Sequence, residues 1–318
     1  MHSILGFALY DWHYFFGQLV DGLTHGSLYA LLALGYTMVY GILKLLNFAH
    51  GDVYMIGAYI GYFVLTALGG SLSPDVPTVL LIVLMFGGAM LGCALLGVVI
   101  ERFAYRPLRR APRIAPLISA LGVSFFLQQT GVLLFGPIPK TYNTYSLHGG
   151  ELFQHVSLGN LRIQYAQILV IASAVALMGA LVLLVWRTNM GKAMRATSYD
   201  LEAASMMGID VDRVIAFTFF VGSALAASAG VMAGLVYQNI QPYMGFGAGL
   251  KAFTAAVVGG IGSIPGAMLG GVIIGIAEQF TIGYLSSAFQ DLITLSVLIV
   301  FMMFRPTGIL GKPTVQKA

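Results

Sequence analysis

The chain has 318 residues, of which 58% are hydrophobic and only 9% are charged, and its formal net charge is +4. A soluble domain contains about 25% charged residues, so this composition excludes a soluble protein and predicts an all-α polytopic membrane protein. The basic residues lie between the apolar segments, which is typical of orientation signals and not of a nucleic-acid surface. We therefore expect contact with membrane lipid and none with nucleic acid.

Eight stretches are apolar enough to predict membrane-spanning helices, since a span needs about 20 mostly apolar residues. They are roughly residues 15–43, 48–68, 77–100, 114–136, 165–186, 214–238, 249–282 and 289–304. The stretch 249–282 is long enough for more than one element, and a glycine-rich run at 259–266 interrupts it. We expect a single transmembrane domain over residues 1–318 with about eight to nine helices, one of them broken or re-entrant.

Three basic regions predict the orientation. They are the loop 101–113 with Arg102, Arg106, Arg109, Arg110 and Arg113, the loop 187–213 with Arg187, Lys192, Arg195 and Arg213, and the tail with Arg305, Lys312 and Lys317. The positive-inside rule makes all three cytoplasmic, and the N-terminus is then periplasmic and the C-terminus cytoplasmic. The helix predicted at 214–238 then ends at the periplasmic side, and the last helix, 289–304, ends in the cytoplasm. The region 249–282 between them must therefore cross the membrane twice or not at all.

The first apolar segment and a later one share a faint pattern of small residues. Gly26-Ser27 is followed by small residues at the same spacing as Gly222-Ser223, and each segment leads into a glycine-containing polar motif. The first segment runs inward and the second runs outward. Inverted repeats with broken helices at corresponding places are a feature of transport sites, so the pattern makes an inverted repeat possible.

One candidate site follows the first segment and comprises Asn47, His50, Gly51, Asp52 and Tyr54. Polar residues inside a membrane are costly and are usually functional. A helix N-terminus that faces a cavity offers free N–H groups to a carboxylate, and Asn47 is a candidate cap for that helix. A position at the cytoplasmic surface, where polar residues cost little, remains an equal alternative. No partner ligands surround His50 in the sequence, so a metal site is not expected.

A second candidate site comprises Gly247, Lys251 and Thr254. Lys251 is the only basic residue between positions 214 and 304. Its ammonium group either snorkels to the membrane interface or supports a broken helix near a transport pathway. We favour snorkelling. Together with the residues around His50, these three positions form the predicted translocation pathway.

A polar island interrupts the apolar sequence at residues 187–213. Glu202, Ala203, Ala204 and Gly208 resemble the EAA loop through which membrane subunits of ABC importers dock on a separate ATPase, although Asp210 to Arg213 depart from the rest of that pattern. An ordinary amphipathic linker is the alternative. The sequence contains no phosphate loop, no metalloprotease motif and no nucleophile elbow. No catalytic residue is therefore expected, and any ATP and Mg would be used by partner subunits.

Several longer motifs resemble those of LivH-type permeases of branched-chain amino-acid ABC importers. They are residues 35–41, 47–57, 105–109, 251–255, 259–267 and 306–311. The resemblance covers nearly the whole chain. It implies a LivM-type second permease, two ATPases of the LivG and LivF type, a periplasmic amino-acid-binding protein and a bacterial inner membrane.

The resemblance implies ATP-driven import of leucine, isoleucine and valine by alternating access. Two alternatives remain open. One is an importer of the same family with another cargo, such as urea, amides or other amino acids. The other is a stand-alone channel or secondary transporter, against which the EAA-like loop argues. The pairing of permeases and the residues that contact cargo are left undecided by the sequence.

Overall fold

The computed structural model describes residues 12–68, 77–109, 111–112, 114–142, 155–158 and 161–311. Arg110, Arg113, Lys312 and Lys317, which belong to the predicted basic regions, lie outside these ranges. The first part of the fold consists of α1 (Trp12–Leu43), α2 (His50–Ala67), α3 (Thr78–Ile100), α4 (Ile114–Phe135) and α5 (Tyr165–Arg187). The second part consists of α6 (Asn189–Tyr199), α7 (Leu201–Met206), α8 (Val211–Tyr237), α9 (Met244–Gly259), α10 (Ile264–Tyr284) and α11 (Gln290–Phe304).

Two short antiparallel pairs of strands lie outside the helical bundle. β1 (Lys140–Thr141) pairs with β4 (Asn239–Ile240), and β2 (His155–Leu158) pairs with β3 (Leu161–Gln164) in a hairpin. The sequence predicted no membrane span between residues 137 and 164. The β1–β4 pair fixes that loop to the end of α8, because Lys140 lies opposite Ile240 and Thr141 lies opposite Asn239.

The helical prediction is confirmed, and several boundaries move. Within the described residues, seven helices are long and apolar enough to cross a membrane, and α9 is a shorter apolar helix. The predicted loop 101–113 instead begins with a π-helical turn, Glu101–Tyr105, and a 3-10 turn, Arg106–Leu108, which continue α3. The polar island 187–213 folds into α6 and α7, and each is capped by a side chain, Thr188 and Asp200 respectively.

The stretch 249–282 divides at its glycines, as the glycine-rich run at 259–266 predicted. α9 ends at Gly259 and α10 begins at Ile264, and Gly260 and Gly262 in the turn have φ of 110° and 93°. L-amino acids with a side chain rarely adopt this conformation, so glycine is needed at both positions. The chain after α11 closes over the turn, since the amide of Leu310 donates to the carbonyl of Gly259 at 2.9 Å.

The central packing joins two three-helix units, α1 to α3 and α8 to α10. α1 packs along α10, and α3 packs along α8, so the first helix of each unit contacts the third helix of the other. α1 and α8 cross at the centre, where a Cβ on Gly222 would lie 3.5 Å from the Cα of Gly35. These contacts fit the inverted repeat that the small-residue pattern indicated.

The second helices of the two units meet at their N-termini. A Cβ built on Gly51, in the first turn of α2, would collide with the carbonyl of Gly245 and lie 3.0 Å from the Cα of Gly249, both on α9. Backbones approach this closely only where side chains are absent. α2 therefore starts inside the bundle, at the level of Gly35, which precedes the end of α1 by about 12 Å of helix. The starts of α2 and α9 thus meet beside α1.

Candidate translocation site and docking surface

A cavity of about 440 Å³ opens beside the start of α9, at the end of the bundle where α8 ends and α11 begins. Its wall combines the first turns of α9 with polar groups from five other helices. The lining includes His25, Tyr29, Tyr54, Tyr237, Met244, Gly247, Ala248, Lys251, Glu278 and Asp291. Concave sites of this size that combine aromatic side chains with a few convergent polar groups are typical of small-molecule binding sites.

Lys251 is the centre of charge in the cavity. Its ammonium group forms ion pairs with the carboxylates of Glu278 on α10 and Asp291 on α11, the second at 3.0 Å. Two carboxylates thus hold the amine against α10 and α11, which favours the alternative that Lys251 supports the broken helix near a pathway. α9 positions Lys251 two turns after its start, and Cβ atoms on a helix tilt toward the N-terminus. The ammonium group and the first turn of α9 consequently face the same space.

The first turn of α9 has no side-chain cap from the preceding residue, Tyr243, and the amide of Met244 donates to the carbonyl of Gln241 at 3.1 Å. A Cβ built on Gly247 would meet no atom within 4 Å, so the backbone there is open to the cavity. The positive end of the helix dipole makes this turn favourable for an anion.

Three predicted pathway residues line this cavity, namely Tyr54, Gly247 and Lys251. The other five do not. Thr254 is fully buried, and its hydroxyl donates to the carbonyl of Leu250 at 3.0 Å within the same helix. Gly51 serves the α2–α9 contact described above. The predicted pathway therefore divides into a cavity-lining group and a packing group.

Asp52 belongs to the packing group. The hydroxyl of Ser124 donates to its carboxylate at 2.5 Å, and the amide of Gln128 donates at 3.1 Å, both from α4. The side chain is buried. Buried polar groups need such partners, and here they join α2 to α4.

Asn47 and His50 are also buried, so the alternative of a surface position is wrong. The carboxamide oxygen of Asn47 accepts a hydrogen bond from Tyr105 at 3.0 Å, and α2 has no side-chain cap, so the predicted capping role is wrong too. The ring of His50 fills the space beside Gly35 and lies edge-on to Tyr36, with 4.9 Å between ring centroids. These residues fix the start of α2 against α1 and the end of α3.

Sequence reasoning did not include Glu278 and Asp291 among the site residues. Glu278 is the only charged residue of α10, and a charge in an apolar helix is a signal for function inside a membrane. Asp291 stands in the first turn of α11, where an acidic residue has an ordinary structural explanation. Only the fold shows that both carboxylates converge on Lys251.

The predicted docking residues lie on a separate surface. α7 contains Glu202, Ala203 and Ala204, and its start is capped by Asp200, whose carboxylate accepts from the amides of residues 202 and 203 at 3.0 Å each. Gly208 follows α7 with φ of 84°. Met206 and Met207 are 87% and 83% exposed, so a short helix presents two uncovered apolar side chains. Flexible methionines are frequent at protein-binding surfaces.

A cluster of charges connects this surface to the end of α3. Asp212, in the first turn of α8, pairs with Arg106 and Arg109, and Arg109 also pairs with Glu101 in the π-helical turn. These ion pairs link the C-terminal end of the segment that contains α7 to the turns that continue α3. A displacement of the docking segment is expected to reach both helices.

The sequence matches the family described as "Branched-chain amino acid transport system / permease component" over residues 18–303. The high-affinity branched-chain amino acid transport system permease protein BraD of Pseudomonas aeruginosa is 46% identical over 305 residues, covering 96% of this chain and 98% of the relative. The corresponding permease protein LivH of Escherichia coli is 46% identical over 309 residues, with the same coverage.

Proposed function

Because the chain belongs to the family of branched-chain amino acid transport system permease components, we propose that it is the membrane subunit of an ATP-driven importer of leucine, isoleucine and valine. It is a multi-pass membrane protein, and it is expected to work with a second permease of the LivM type, ATPases of the LivG and LivF type, and a periplasmic binding protein. The observation that supports this best is the coexistence of a polar cavity in the bundle with an exposed docking helix at its other end.

The docking helix supports a separate motor. Exposed apolar side chains beside a capped, rigidly held helix are expected where another protein covers them. The basic residues of the α3 extension and of α6 lie at the same end as α7, which favours a cytoplasmic position for this end. ATP and Mg are then bound by the partner ATPases, and this chain contributes no catalytic group.

The transport cycle follows from the positions of these two surfaces. We infer that closure of the ATPases pushes on α7, and that the displacement passes through Asp212 to α8 and the end of α3. α8 lines the far cavity through Tyr237, so its rocking changes access to that cavity. The binding protein is expected to deliver cargo at the cavity end.

The test compares two double variants at one pair of positions, Met206→Asp with Met207→Asp, and Met206→Leu with Met207→Leu. The first places charge on the docking surface, whereas the second keeps it apolar. We expect the aspartate variant to lose the ATPase subunits on affinity purification and to lose ATP-dependent uptake of labelled leucine in vesicles. The leucine variant should keep both.

Other results have distinct meanings. Leucine uptake that needs no ATP, or ATPases that remain bound to the aspartate variant, would contradict the motor-coupled assignment. If the assembled wild-type complex hydrolyses ATP in the presence of its binding protein but imports urea, amides or other amino acids and no leucine, the cargo is wrong and the class is kept.

A further inference from the structure

We propose that the cavity beside Lys251 is a receptor for the α-ammonium and α-carboxylate groups of a free amino acid, in which Glu278 accepts the ammonium group. The proposal rests on the proposed function, because it identifies where the cargo is recognised within this chain. It concerns the common part of all α-amino acids and leaves the choice among side chains to the binding protein.

Glu278 is the first reason. Its side chain is only 3% exposed, and one carboxylate oxygen is paired with Lys251. The other oxygen, Oε2, is buried and accepts no hydrogen bond of ordinary geometry from the described residues, although the hydroxyl of Tyr29 lies close to the carboxylate and the carboxylate lines the cavity. A buried carboxylate oxygen without a donor is unfavourable, and such groups are normally satisfied by a protein group, water or a ligand. An ammonium group in the cavity supplies both the missing donor and a compensating charge.

The first turn of α9 is the second reason. It lacks a side-chain cap, its backbone is open at Gly247, and the ammonium group of Lys251 faces the same space. The positive end of the helix dipole and the ammonium group of a lysine together favour a carboxylate. This helix start and the unpartnered oxygen of Glu278 are independent observations, and they line one cavity.

The spacing of the two charges matches an α-amino acid. Lys251 is in direct contact with Glu278, so the group that attracts a carboxylate lies immediately beside the group that attracts an ammonium. In an α-amino acid these two ions are attached to one carbon atom, and a ligand can therefore meet both at once. Asp291 is 68% exposed and is compensated by water, so it can release Lys251 to the incoming carboxylate at little cost.

The remaining wall suits an aliphatic side chain without selecting one. Tyr29, Tyr54 and Tyr237 contribute aromatic rings, and the volume of about 440 Å³ lies in the range of small-molecule sites. Recognition of the α-ammonium and α-carboxylate groups gives every amino acid that the importer carries the same contacts. The aromatic rings then cover side chains of different shape.

The test uses a thiol as a reporter in the assembled permease–ATPase complex in membranes. Cys93 is the only native cysteine and is buried, so the background is low. Gly247→Cys introduces a thiol where the structure has open space, and Gly17→Cys, also in open space but remote from the cavity, is the matched control. The measured quantity is the rate of modification by a water-soluble methanethiosulfonate reagent.

We expect leucine to slow modification at position 247 and to leave position 17 unchanged. 4-Methyl-2-oxopentanoate, which lacks the ammonium group, and 3-methylbutylamine, which lacks the carboxylate, should protect far less at equal concentration. Adding Glu278→Gln should raise the leucine concentration needed for protection by about 10- to 100-fold, because a hydrogen bond to a charged group is lost. Gln241→Cys, on an exposed lining residue, repeats the measurement if Gly247→Cys does not assemble.

Three results would overturn the proposal. They are equal protection by leucine and by either analogue, unchanged protection after Glu278→Gln, and no reaction at either lining position. The proposed function is tested separately by leucine uptake into vesicles with the wild-type complex and its binding protein. Uptake without protection rejects this receptor and keeps the importer, whereas absence of leucine uptake rejects the cargo.

Discussion

Arg106 and Arg109 both pair with Asp212, and the structure predicts very different consequences for their removal. Arg106 and Asp212 are 44% and 47% exposed, whereas Arg109 is 18% exposed and its second partner, Glu101, is 3% exposed. Arg109 is therefore the only described cation that compensates a buried carboxylate at the end of α3. Arg106, in contrast, pairs with a carboxylate that water already solvates.

The difference in burial sets the magnitudes. Arg106→Met should lower the free energy of unfolding by about 0.2–1 kcal/mol, the range of exposed ion pairs. Arg109→Met leaves the carboxylate of Glu101 buried and uncompensated, which costs about 3–5 kcal/mol. Methionine retains much of the length and apolar stem of arginine, so lost packing contributes similarly to both variants.

Thermal unfolding of the purified permease in detergent, followed by tryptophan fluorescence, checks the order of the two variants. Arg109→Met should lower the midpoint clearly, and Arg106→Met should lower it little. A second change, Glu101→Gln, removes the buried charge and should restore most of the stability lost in Arg109→Met. The double-variant cycle isolates the coupling between the two residues. Equal effects of the two arginine variants, or no recovery in the double variant, would refute the reasoning.

Three further predictions concern packing, polar satisfaction and the docking segment. Gly230→Ala places a methyl group against the backbone carbonyl of Tyr54 and should cost about 1–3 kcal/mol, whereas Gly179→Ala meets open space and should be neutral or stabilising in the same thermal assay. Asp52→Leu leaves two donors on α4 unpaired and should cost about 1–3 kcal/mol per donor, so less folded protein should elute on size-exclusion chromatography. Gly208→Ala strains a residue with φ of 84° by about 1–2 kcal/mol and should weaken ATPase retention on purification, with unchanged retention contradicting the role of this turn.

The sequence allowed the helices and the break after α9 to be predicted, because apolar length and glycine turns are local properties. It did not distinguish buried polar residues that line the cavity from those that stabilise the packing of helices. Asp52 and Lys251 look alike in the sequence, as single charges beside glycines in apolar surroundings. They differ in the distant helices that face them. Asp52 meets a hydroxyl and an amide from α4, whereas Lys251 meets carboxylates from α10 and α11.

The same limit applies to the polar motif at the start of α2. The sequence indicated correctly that residues 47–52 are unusual, but two different physical causes produce polar residues next to glycine. One is a ligand site, and the other is a helix start buried against another backbone. His50 beside Gly35 and Gly51 beside Gly245 belong to the second kind. Glycine contacts across the fold decide between them, and no local pattern contains that information.

α8 connects the two functional surfaces. It has 27 residues and is about 40 Å long, and it begins with Asp212 beside the docking segment and ends with Tyr237 in the cavity wall. Along its length it contacts α1, α2 and α3 mainly through small residues, such as Gly222 and Gly230. Contacts between backbones resist local bending but allow a helix to slide or rotate as a unit. A push at the docking end is therefore expected to move the cavity wall, which is what coupling between a motor and a transport site requires.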